Sequence, residues 1–89
     1  MGVSRLTEAE EFLEQSLAAA RQLYGYDSIE LSSILSVLGE SRSLQGRNAE
    51  ARDLIIEGLS ILEREFPSDD EGVQTLWAQL TELKEDESG

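Results

Sequence analysis

Residues 28–67 read SIELSSILSVLGESRSLQGRNAEARDLIIEGLSILEREFP. Two apolar stripes run through this stretch, separated by a glycine. Leu31, Ile34, Leu35 and Leu38 recur on one face of a helical period, with Val37 and Leu44 off it. Ala51, Leu54, Ile55, Gly58, Leu59, Leu62 and Phe66 form the second stripe, while Ile56 and Ile61 point elsewhere. Apolar residues on more than one side predict a helix packed against more than one neighbour. Asp27 or Ser28 is expected to cap the first helix and Asn48 the second. Gly46 and Pro67 end them, because glycine takes a left-handed conformation freely and proline cannot continue a helix. Gly39 lies inside the first helix, where glycine costs about 1 kcal/mol against alanine. Its presence predicts that another backbone comes close.

Similar half-units flank this stretch. Upstream, Thr7 and Glu10 stand at capping-box spacing, and Ala9, Leu13, Leu17, Ala20 and Tyr24 form one face, broadened by Phe12, Ser16 and Leu23. Gly25 ends that helix, and of the tyrosines beside it Tyr24 reads as core and Tyr26 as surface. Downstream, Ser68 and Glu71 repeat the capping-box spacing, and Val73, Leu76, Trp77, Leu80 and Leu83 make a fourth stripe. The expected fold is all-α: antiparallel helical hairpins with helices near 7–24, 28–45, 48–65 and 69–84, in one domain over 1–89. Residues 1–6 and 85–89 offer little to bury and are expected to fray.

Net charge is −12, from 19 acidic and 7 basic residues. That excess repels phosphate backbones and anionic lipid, so neither nucleic acid nor membrane is an expected partner. Cysteine and histidine are both absent, which removes the usual ligands of zinc or haem and the commonest general base. No catalytic set, cofactor site or metal site is expected. Asp69, Asp70 and Glu71 lack the alternating ligands of a calcium loop and read as helix-start electrostatics. Glu10, Glu11 and Glu14 read as a solvated helix face. There is no apolar run of spanning length and no signal-peptide core, so the cytoplasm is the default location.

Shifted by 42 residues, the halves align without a gap: Ala9 falls on Ala51, Leu13 on Ile55, Leu17 on Leu59 and Tyr24 on Phe66. The match continues with Asp27 on Asp69, Leu31 on Val73, Ile34 on Leu76, Leu35 on Trp77 and Leu38 on Leu80. The unit resembles the tetratricopeptide repeat, whose signature of about 34 residues runs Trp-x2-Leu-Gly-x2-Tyr, then Ala-x3-Phe, Ala and Pro. Leu35, Leu38, Gly39 and Gly46 fit its first helix, Ala51, Ile55, Gly58 and Leu59 its second, and Trp77 with Leu80 opens the next. Arg42 stands where the signature has an aromatic and Thr81 where it has glycine. The 42-residue period and the link Tyr24-Gly25-Tyr26-Asp27-Ser28 are similar to the longer repeats of kinesin light chains.

The resemblance implies an α-solenoid and a protein–protein interaction or scaffold role without enzymatic activity. It also implies a concave groove lined by the first helices, here Ser33, Ser36, Val37, Glu40 and Ser43, then Thr75, Ala78, Gln79 and Glu82. Small hydroxyls with two acids suit a neutral or basic protein segment. In phase, the chain runs second–first–second–first, one whole repeat between two halves. Phe12, Leu13, Leu17, Leu76, Trp77 and Leu80 are therefore candidates for open-end interfaces, although the place of Trp77 in the signature also gives it a packing role. Such ends predict either membership in a longer array or a homo-oligomer, most simply a two-fold dimer whose assembly is itself the function.

Overall fold

The computed structural model describes residues 2–88, with side chains over residues 7–83. Four helices follow one another: α1 (Gly2–Tyr24), α2 (Glu30–Leu44), α3 (Asn48–Glu65) and α4 (Glu71–Ser88). The all-α expectation holds, but the outer bounds move. α1 begins at Gly2 instead of near Thr7, and α4 runs to Ser88, so helix replaces most of the tails expected to fray.

Each helix packs on the next, and α2 also touches α4. Two apolar cores result. Leu17 and Ala20 of α1, Leu31, Leu35 and Leu38 of α2, and Ile61 of α3 make one, with Leu13, Ile34 and Leu54 at its edge. Ala51, Ile55 and Leu59 of α3 with Val73, Leu76, Leu80 and Leu83 of α4 make the other. α3 thus serves both cores, as its two-sided apolar pattern predicts, and Ile61 is the residue that reaches back to the first. At Gly39 a Cβ would lie 2.7 Å from Ile55 Cγ1 and 3.4 Å from the Ala51 carbonyl oxygen, so the close approach expected there is made by α3.

Helix ends follow local backbone chemistry. Gly25 and Gly46 take φ of +87° and +79°. Around Gly46, Arg47 N donates to Arg42 O at 2.9 Å and Gly46 N to Ser43 O at 3.0 Å, the paired bonds of a Schellman motif. Phe66 is extended before Pro67, as a residue preceding proline prefers. Helix starts differ more from expectation. Ser28 Oγ accepts from Glu30 N at 3.3 Å, while Asp27 pairs with Arg64 at 3.0 Å. Asn48 is the first helical residue of α3, preceded by Arg47, and no side chain caps that end. At α4 the cap is Asp70, whose Oδ2 accepts from Gly72 N at 2.9 Å and Val73 N at 3.3 Å, so the expected Ser68 box is replaced. The Thr7–Glu10 box is absent too, because Thr7 lies within α1 and Glu10 turns toward α2.

Candidate functional site

α2 and α4 stand beside each other and expose a shallow groove, because α3 covers only one flank of each. One bond ties the two walls: Ser36 Oγ donates to Gln79 Oε1 at 3.1 Å. Toward the C-terminal halves of the two helices, a depression of about 230 Å³ is lined by Glu40, Ser43, Gln79 and Glu82 over a floor that includes Ile55 and Leu83. Toward their N-terminal halves, a second of about 270 Å³ is lined by Ser32, Ser33, Ser36 and Thr75, with Leu62 and Leu76 beneath. Seven of the nine residues expected to form the groove therefore converge on these depressions. Val37 and Ala78 are exposed outside them. Ser32, Leu62 and Leu83 join the lining unforeseen, the leucines because a floor needs core residues that reach between the walls.

Chemically, the groove offers acceptors and small donors. Thr75 spends its hydroxyl on the Glu71 carbonyl oxygen at 2.9 Å, within its own helix. Gln79 gives Ser36 its oxygen and keeps its amide NH2 to donate. Glu40 and Glu82 are both exposed at the rim of the first depression. None of the described arginines lines either depression. Arg21 pairs with Glu57 at 2.6 Å, Arg47 with Glu50 at 2.7 Å and Arg64 with Asp27, so cationic charge is held on other faces.

The acidic cluster of α1 is not a uniformly solvated face. Glu10 is 7% exposed and accepts from Ser41 Oγ at 2.9 Å, from Arg42 Nη1 and from Gln45 Nε2. Arg42 further donates to Glu14 Oε2 at 2.6 Å and lies 3.4 Å from Glu50. The arginine at the signature's aromatic position thus ties its own helix, α2, to α1 and α3 through three carboxylates.

The six end-interface candidates divide. Leu17, Leu76 and Leu80 are buried within the chain and cannot form an open end, and Leu13 is half-buried. Phe12, 69% exposed, and Trp77, 43% exposed, remain at the surface, with Trp77 Nε1 donating to Glu63 at 3.2 Å. Trp77 is thus only partly a packing residue. Tyr24, expected in the core, is 52% exposed: the inward contacts of the last turns of α1 are made by Ala20, in the core with Ile61, and by Arg21, paired with Glu57. Tyr26 is at the surface as expected, with the Arg21 guanidinium 5.0 Å from its ring centroid.

Among the described residues, no helix is long and apolar enough to cross a membrane. No curated protein matches the chain. A family model of the tetratricopeptide repeat matches residues 2–64, which is more than half of it. With the helix alternation, the Gly39–Ile55 contact and this match, the chain belongs to the tetratricopeptide-repeat family.

Proposed function

We propose that the chain is a protein-interaction module whose α2/α4 groove receives an extended, neutral or basic segment of a partner. Repeats of this family are typically non-enzymatic interaction modules, which supports the general role. The observation that carries the finer reading is electrostatic: Glu40 and Glu82 share one depression, and no described arginine stands in the groove to neutralise them. A lysine or arginine side chain seated between α2 and α4 meets both carboxylates. The segment's backbone meets the Gln79 amide and the hydroxyls of Ser33 and Ser43. The 42-residue period supports a kinesin-light-chain type of repeat, but the acids make its groove unlike the basic one which that type implies.

The test is a fluorescence-anisotropy titration with three labelled extended peptides of equal length, lysine-rich, uncharged and glutamate-rich. The lysine-rich peptide binds tightest, and its affinity falls as salt rises. Exposed pairs are worth up to about 1 kcal/mol each, so Glu40→Lys with Glu82→Lys weakens it by about tenfold or more. Equal binding of all three peptides, or of the double variant and wild type, overturns the reading.

A further inference from the structure

The 42-residue correspondence also relates two surfaces that nothing covers among the described residues. α3 rests on α2 through Ile55 against Gly39 and through Gly58, where a Cβ would lie 3.4 Å from Leu35 Cβ and 3.5 Å from the Ser32 carbonyl oxygen. Leu54 and Ile61 of α3 complete that contact in the core shared with Leu35 and Leu38. Moved back by 42 residues, Leu54, Gly58 and Ile61 become Phe12, Ser16 and Ala19 on α1. Phe12 and Ala19 are exposed and Ser16 is half-buried. Moved forward by the same step, Ser32, Leu35 and Gly39 of α2 become Gln74, Trp77 and Thr81 on α4, all three exposed. One chain therefore carries both halves of the α2–α3 interface a second time, each largely uncovered, although Ser16 and Leu13, the counterpart of Ile55, are half-buried.

We infer that the occupant of each face is a second copy of this chain, the α4 of one copy seating on the α1 of the next as α2 seats on α3. The surfaces fit in register. Where α2 and α3 bring Leu35 and Ile61 into one core, the new contact pairs Trp77 with Ala19, a larger ring facing a smaller side chain at similar total volume. Thr81 in place of Gly39 holds the helices further apart than α2 and α3, and the indole and Phe12 span the wider gap. Charge is complementary at the same register, because the Arg42–Glu50 pair across α2 and α3 corresponds to positions 84 and 8, a lysine and a glutamate. The order is preserved as well: an α4–α1 junction repeats the α2–α3 order, so it extends the stack already built inside each copy.

Such an interface joins two different surfaces, so it is heterologous and propagates. It replaces the two-fold dimer expected from sequence with head-to-tail assembly. The −12 charge of each copy opposes it at low ionic strength, and added salt strengthens it.

Sedimentation equilibrium of the 89-residue chain, above physiological salt and across a concentration series, gives the first readout. The emission of Trp77, the only tryptophan, gives the second. The expected result is an average mass that grows past the dimer, with a blue shift of emission that follows it. Ala19→Arg blocks the α1 face and Thr81→Arg the α4 face, both at exposed positions whose helicity is checked by circular dichroism. Each variant alone remains monomeric, and an equimolar mixture forms a 1:1 dimer that grows no further, because the single open face of each variant is then used and both free ends are blocked. A wild-type chain that stays monomeric with unshifted emission overturns the proposal. A wild-type mass that stops at the dimer, or a mixture that stays monomeric, overturns the head-to-tail geometry.

Discussion

Against α3, the α2 helix presents Leu35, Leu38 and Gly39 and lets Ile55 settle onto the glycine. Against α1 it presents Ser41, Arg42 and Gln45, gathered around the buried carboxylate of Glu10. One seam is held by close packing and the other by a hydrogen-bonded charge. In the packed seam the absence of a side chain sets the distance, and dispersion and burial supply the energy. In the charged seam, Arg42 must repay the desolvation of Glu10, and it does so only while its whole partner set is present. The apolar seam is therefore sensitive to volume and the polar seam to the loss of a single partner. Glu10 accepts from three different α2 side chains, which sets the axial register of α1 on α2 in a way that leucines alone would not.

The largest effect is expected from Ile55→Ala. It empties a fully buried site facing both Gly39 and the α3–α4 core, so urea denaturation should show a loss of about 4 kcal/mol. Next comes Arg42→Ala, which leaves Glu10 buried without its cation and should cost about 3 kcal/mol. The sharper comparison is the pair Glu10→Leu with Arg42→Leu. Removing both charges should return most of that loss, and a double variant no better than Arg42→Ala would show that the seam needs its charges for stability itself. Gly39→Ala is smaller. Overpacking against Ile55 Cγ1 costs about 1–3 kcal/mol and the gain in helix propensity returns about 1, leaving a net loss of about 1 kcal/mol. Combined with Ile55→Ala, which removes Cγ1, it should cost less than the sum of the two, because the second change makes room for the first.

How legible each seam was follows from the same contrast. Leu31, Leu35, Leu38, Ile55 and Leu59 are readable because a helix repeats its buried face at a fixed period, and Gly39 because a glycine inside a helix needs a reason. Gly25, Gly46 and Pro67 are readable because their effect lies in their own backbone. Glu10 is not, since its burial depends on donors more than thirty residues away, and its letter matches those of the exposed Glu8, Glu11 and Glu14. Helix starts fail for a related reason: Asp70 and Ser68 are equally good caps as letters, and only the turn decides which oxygen meets the free amides. In the groove, the walls could be carried over by position from the repeat, but not the floor of Leu62 and Leu83. At the open ends, a stripe does not reveal how many neighbours share it. That is why Leu17, Leu76 and Leu80 are core while Phe12 and Trp77 face outward.

The smallest effect lies where the polar seam reaches the surface. Arg47 forks onto Glu50 at 2.7 and 2.8 Å, and this hydrogen bond holds the Glu50 carboxyl below its ordinary pKa against the opposing effect of desolvation, with the charges of Arg47 and Arg42 adding lesser contributions. A carboxyl whose folded-state pKa is depressed contributes stability above its unfolded pKa and loses it as pH falls through the folded value. Arg47→Ala should accordingly lower the melting temperature slightly at neutral pH, and the gap to wild type should close as the solution is taken below the ordinary carboxylate range. Salt should close it too, because both side chains are exposed. Melts of the two proteins at neutral and acid pH, each at low and high salt, provide the measurement. A gap that survives salt at neutral pH would mean that Arg47 acts through the buried Glu10, to which it lies 3.8 Å away, and that the buried charge of the α1–α2 seam extends further toward solvent than Arg42 alone carries it.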